Sequence, residues 1–139
     1  MNYRTNYVRN PGPDDIGKLV NYVAGDLVLR GSGLRADRHD IDGFRSMAYD
    51  CEMSRQHMFA FENHHDPEKL ARRVRLAFRD EVDADFLVGV HTDTETNHVH
   101  VAQVGTANEC YMDSDDIEQL RSAVAGRFDG ESIGTGATA

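Results

Sequence analysis

The chain has 139 residues and a formal charge of −9, a length suited to one folding unit around one core. No apolar run approaches the roughly 20 residues of a membrane span, and the start MNYRTNYVRN has neither the basic nor the apolar segment of a secretion signal, so a cytoplasmic location is expected. The charge opposes generic nucleic-acid binding, but it is uneven: residues 1–80 hold 13 Lys or Arg against 12 Asp or Glu, and residues 81–139 hold 2 against 12, which leaves room for a local basic surface.

In chain order, YRTNYVR (3–9) alternates like a short strand, and PGPDD then leads into a helix through IGKLVNYVAG with Asp14 or Asp15 as its cap. Gly25, Gly31 and Gly33 punctuate AGDLVLRGSGLRADR as a loop, and a second helix is expected from about Asp40 to Met53. QHMFAFEN (56–63) reads as a strand. DPEKLARRVRLAFRDEV (66–82) is the clearest helix, with Asp66 as cap, Pro67 in the first turn, and Leu70, Val74, Ala77 and Phe78 along one face. DFLVGVHT (85–92) and HVHVAQVGT (98–106) are two strands joined by the polar DTETN. A short strand at ECYMD (109–113), a helix from Ser114 to Arg127 and a tail over DGESIGTGATA complete the chain. Cys51 and Cys110 lack paired spacing and read as small hydrophobes, not as a staple or zinc site.

The expected order βααβαβββα implies an α+β fold, a mainly antiparallel sheet with helices packed on it. Alternate residues of a strand share a face, so His98 and His100 point the same way, with His91 beside them across the hairpin. Three imidazoles from two neighbouring strands form a facial metal site with open positions. Being neutral, they leave a bound cation its full charge for a ligand such as phosphate. The competing reading of any one of these histidines is packing or surface. A histidine-triad nucleotide hydrolase would need histidine where Ala102 stands, and HExxH and Walker phosphate-loop patterns are absent.

The pattern H-x-D-x-x-x-x-H-x-H, formed by His91, Asp93, His98 and His100 and followed by a hydrophobic strand, resembles the third motif of mobilisation-type relaxases, members of the HUH endonucleases. His98-Val99-His100 is the HUH element. The order of segments is also similar: a strand, a helix carrying tyrosine, a strand, a helix, then the histidine hairpin. The resemblance spans about residues 3 to 125 and implies a relaxase-like nuclease domain over 1–128, in relaxase strand order, with 129–139 as a flexible tail.

What the resemblance implies is a metal-dependent single-stranded DNA nickase and strand transferase working through a 5′-phosphotyrosine, as in plasmid mobilisation, conjugation or rolling-circle replication. Tyr22 would be the nucleophile, weighed against a packing role beside Leu19 and Val23. Tyr3, Tyr7, Tyr49 and Tyr111 are the other tyrosines, of which Tyr3, Tyr7 and Tyr111 read as strand residues and Tyr49 as mid-helix. His91, His98 and His100 would hold the metal, Mn²⁺ or Mg²⁺ with Zn²⁺ as the alternative. Asp93 would orient a ligand imidazole or serve only as a turn residue. Arg30, Arg35 and Arg38 are candidates for the DNA backbone, while Arg72, Arg75 and Arg79 read better as an ordinary solvated helix face. His57, His64 and His65 read as surface or strand-end residues, with an extra site group as the lesser alternative for His57. Partners would be single-stranded DNA at an origin-like site and an accessory DNA-binding or helicase protein. Two departures stand out: Ala60 where a serine is common, and no basic residues directly after Tyr22. The alternatives are a catalytically silent HUH-fold module that binds DNA or a partner, and a metal phosphodiesterase that uses water.

Overall fold

A computed structural model describes residues 1–62, 65–92 and 97–128. The elements in chain order are β1 (Asn2–Arg9), α1 (Pro13–Val23), β2 (Leu27–Arg30), α2 (Arg38–Ala48), β3 (Met53–Phe61), α3 (Pro67–Glu81), β4 (Asp85–His91), β5 (Asn97–Gly105), α4 (Ala107–Cys110) and α5 (Ser114–Gly126). The class is α+β: a five-stranded sheet in the order β1-β3-β5-β4-β2, every neighbouring pair antiparallel, with helices packed on it. Asp93 and His64, and the tail from residue 129, lie outside the described residues. Among the described residues, no helix is long and apolar enough to cross a membrane.

Both faces of the sheet are covered, which explains why β5 is buried along nearly its whole length. On one face, Val99 and Val101 of β5 join Val88 and Val90 of β4 beneath the apolar sides of α3 and α5. On the other, Ala102 and Val104 of β5 and Leu87 of β4 meet Ile16, Leu19, Val20 and Val23 of α1 and Phe44 and Ala48 of α2. This second face also carries His98 and His100, since even-numbered residues of β5 all point to it.

Several sequence expectations need correction. LVLR, read as part of a loop, is strand β2, paired with β4 from Leu27↔Val90 to Arg30↔Leu87; four residues between glycines are too few for alternation to register, and pairing with β4 supplies what propensity does not. ECYMD is not a strand. Thr106 caps the single turn α4, with Glu109 completing a capping box, and Tyr111 follows as an exposed C-cap residue. The second helix starts and stops earlier than expected because Asp37 takes the cap and β3 begins at Met53 to pair with both β1 and β5; Tyr49 therefore ends that helix. Gly12, not Asp14 or Asp15, occupies the N-cap of α1, and the Asp15 carboxylate accepts from the Gly12 amide at 2.9 Å.

Two devices lock the frame. Arg75 Nε of α3 donates to the Gly31 carbonyl at 2.8 Å, and Arg72 Nη1 donates to the Gly33 carbonyl at 3.2 Å. The glycine loop after β2 is thereby tied down, and Gly33, at φ 95°, is where a left-handed turn is required. The second device corrects the reading of His57, which is 0 % exposed. Its Nε2–H donates to Gln103 Oε1 and its Nδ1 accepts from the Tyr3 hydroxyl, each at 2.7 Å. Gln103 in turn donates to the Glu109 carbonyl. Beside this chain, Arg55, 2 % exposed, donates to the Cys110 carbonyl at 2.8 Å and to Thr5 Oγ1 at 3.1 Å, and lies over the Tyr7 ring. Cys51 and Cys110 are both free thiols. His65 is half-buried against the Phe61 and Phe128 rings.

Burial drives the His57 imidazole from its ordinary value of 6.5 down to about 3. Between those values the unfolded chain takes up a proton that the folded chain refuses, so this histidine leaves stability intact above pH 6.5 and erodes it as the pH falls toward 3. Urea unfolding at stepped pH should show a loss approaching about 1.4 kcal/mol per pH unit from this one group. The loss should shrink in His57→Gln; an unchanged slope in that variant would contradict the assignment.

Candidate metal and nucleophile site

The site begins with a strand pairing. β4 and β5 place His91 directly opposite His98, and Gly89 directly opposite His100. His98 and His100 share a face by alternation, and so do Gly89 and His91. One row along, the residue facing His98 from β3 is Ala60, and the one facing His100 is Met58. Alanine thus leaves room beside His98, while Met58 and Gly89 stand on either side of His100.

α1 closes the site from above. A β-carbon on Gly89 would lie 1.8 Å from the Val23 carbonyl oxygen, so only glycine allows the last turn of α1 to rest on the sheet here. Gly25 is equally constrained: a β-carbon there would stand 2.5 Å from the Val90 carbonyl oxygen and 3.0 Å from His91 Cδ2. This close approach brings Tyr22 to the histidines. Its ring meets that of His100 edge-on, with centroids 4.2 Å apart, and His91 Nε2–H donates to the Tyr22 backbone carbonyl at 3.1 Å. That carbonyl belongs to the C-terminal end of the helix, where acceptors lack helical partners and the dipole favours positive charge.

The imidazoles are gathered but not convergent. His91 and His100 have ring centroids 4.4 Å apart, and His98 and His100 6.2 Å. The first pair meets edge-on, as an aromatic contact does, and His98 stands wider. Among the described residues, no group of three or more His, Cys, Asp or Glu is arranged to hold a metal ion. The donor chemistry nevertheless suits one. His100 Nδ1 is buried and has no hydrogen-bond partner. Burial, reinforced by the positive charge His91 and His98 would carry, lowers the His100 imidazole to about 4, leaving it neutral and able to donate a lone pair near pH 7.

Burial also raises the Tyr22 phenol above its ordinary value, opposed by the charge of Arg4. Arg4 was not singled out from the sequence. It lies on β1 opposite Met58, which lies opposite His100, so one row across the sheet runs Arg4, Met58, His100, Gly89. Asp26 is a second unforeseen neighbour: its carboxylate accepts from the Thr92 hydroxyl at 2.5 Å and from the Thr92 amide at 3.0 Å, which together hold it below the usual range, with the nearby His91 charge adding a smaller effect. Neither was visible without the strand order.

The three loop arginines stand apart from this cluster. Arg30 pairs with Leu87, at the end of β2 remote from His91, and its guanidinium is 3.6 Å from Asp40. Arg35 bonds Glu68 at 3.2 Å, sharing that carboxylate with Arg72, and Arg38 is exposed at the start of α2. No family model, curated protein or solved structure matches the chain.

Gly89→Ala should push α1 off the sheet and destabilise the fold by at least about 2 kcal/mol, in the range of overpacked cores. Gly17→Ala, on the same helix with nothing within 4 Å of the new methyl group, should instead stabilise by roughly 0.5–1 kcal/mol. Chemical denaturation of the pair reads both directions; a mild Gly89→Ala phenotype would mean that the helix seat is not set by that contact.

Proposed function

We propose that the chain is a metal-dependent nuclease of the relaxase type, cutting single-stranded DNA through a covalent bond to Tyr22. The reading is carried by one observation: the tyrosine of the helix after the first strand has its ring against His100, while its own carbonyl is bonded by His91. Five tyrosines are available, and the one on this helix is the one in contact with the histidine pair.

His91, His98 and His100 would hold a divalent ion, Mn²⁺ or Mg²⁺ with Zn²⁺ as the alternative, after His98 swings toward the other two. The bound cation would supply Lewis-acid stabilisation of charge on the scissile phosphate and favour the phenolate. Everything else falls to the chain. Tyr22 gives its phenolic proton to water, its oxygen bonds to phosphorus, and the bond from phosphorus to the 3′ oxygen breaks. The leaving oxygen takes a proton to become a 3′-hydroxyl, and the 5′ phosphate stays on Tyr22. Burial holds the phenol protonated in the metal-free protein, so attack should depend on the cation. Arg4 contributes positive charge to the same face. The substrate would be single-stranded DNA at an origin-like site in the cytoplasm, handed over by an accessory DNA-binding or helicase protein, in mobilisation or rolling-circle replication. The HUH relaxase fold belongs to the same proposal.

A silent HUH-fold binding module is the second reading, favoured by the 6.2 Å separation of His98 from His100. Incubating the protein with pooled single-stranded oligonucleotides and Mn²⁺ or Mg²⁺, followed by denaturing gels and mass spectrometry, separates the two. The nuclease should give an adduct on Tyr22, absent from Tyr22→Phe and His98→Ala. Metal binding with no adduct on any oligonucleotide selects the silent module. Turnover of small phosphodiesters surviving Tyr22→Phe points instead to attack by water.

Metal binding has its own readout. Mn²⁺ or Zn²⁺ at about 100 times its Kd should stabilise the fold by about 2.7 kcal/mol. The shift should vanish in His100→Ala, measured as the change in Tm against a metal-free control.

A further inference from the structure

A cavity of about 620 Å³ opens between α2 and the β2–β4 edge of the sheet, within the range of roughly 300–1,000 Å³ usual for small-ligand sites. It is separate from the histidine cluster. Its β4 wall reaches only Leu87, four residues before His91 and about 13 Å away at the rise of a strand.

Its walls are chemically mixed in a specific way. Phe44 and Met47 provide aromatic and apolar surface, Arg30 provides donors, and Asp40 and Asp85 provide carboxylate acceptors. Met47 is 47 % exposed, a large apolar side chain left uncovered at the mouth. Arg30 is poorly satisfied by the protein itself: its Nε is buried without a hydrogen-bond partner, and its Nη1 reaches Asp40 at 3.6 Å, too long for a hydrogen bond.

We propose that this cavity binds an unstacked nucleobase. A purely anionic ligand would meet two carboxylates, and a purely cationic one would meet Arg30. A planar ring with donors on one edge and acceptors on the other meets both, while its faces lie against Phe44 and Met47. Guanine presents this combination most fully, with O6 and N7 for an arginine and two N–H groups for a carboxylate. A free mononucleotide and a single DNA strand both present such a base; the ring chemistry is the same. The proposal stands on the cavity and does not depend on Tyr22 chemistry.

The test is an amide-resolved NMR titration of the whole chain with dGMP, dTMP, inorganic phosphate and a short guanine-containing single-stranded oligonucleotide. dGMP should shift amides around Ser32 and Gly43, dTMP should bind at least tenfold more weakly, and phosphate alone should leave those amides unmoved. Gly43→Leu is the decisive variant. Gly43 lines the cavity on α2 and a β-carbon there meets nothing within 4 Å, so the substitution should leave the protein folded while the leucine side chain occupies the cavity and abolishes binding. Arg30→Gln should weaken dGMP by tenfold or more. An oligonucleotide binding at least tenfold tighter than dGMP, and also blocked by Gly43→Leu, identifies a DNA strand as the source; equal affinities identify the free nucleotide. The proposal fails if no nucleotide moves these amides at millimolar concentration, if phosphate reproduces the shifts, if dTMP binds as well as dGMP, or if Gly43→Leu binds normally. Tyr22→Phe should bind like the wild type, so failure of the nuclease reading and failure of this one are read separately.

Discussion

The contact on which the site depends is between two backbones. The Val23 carbonyl rests on Gly89 with no room for a methyl group between them, so the end of α1 sits closer to the sheet than side-chain packing would permit. Two consequences follow from that seat. Tyr22 is held against His100, and the helix end offers its carbonyl to His91. A helix one side-chain layer higher would keep its apolar face buried and lose both.

The same arrangement sets the protonation of His100. Packing under a helix removes water from His100, and neighbouring imidazoles make a charge on it costlier still. A neutral His100 beside the carbonyl end of a helix is the setting that the proposed cation site requires. Burial works in the opposite sense on Tyr22, where it resists the anion. In the proposed nuclease a bound cation would therefore have to offset the effect of burial on the phenol.

Much of this was legible from the residues, and what was missed has identifiable causes. Alternation in HVHVAQVG fixed the facing of His98 and His100, and the apolar face of DPEKLARRVRLAF fixed α3, because both signals are local and repeated. β2 was hidden because its strand character comes from pairing with β4. The turn at Thr106 was hidden because alternating Cys110 and Met112 outweighed the Thr106–Glu109 capping box that forms there. His57 was misjudged for a different reason: its burial requires Tyr3 and Gln103, 54 and 46 residues away, and no local pattern announces such partners. Arg4 and Asp26 escaped in the same way, since only the strand order brings them near Tyr22 and His91.

The network beneath the other face bears on how the sheet comes apart. β1 is an edge strand, paired only with β3 among the described residues, and edge strands usually fray first and are available to exchange with a second copy. Here Tyr3 is bonded to His57 and Thr5 to the buried Arg55, which also holds the carbonyl of Cys110. Peeling β1 away would take from His57 Nδ1 its donor and from Arg55 one of its two acceptors. These two side-chain anchors tie the outermost strand to the interior of the sheet and add a cost to its exchange with a second copy.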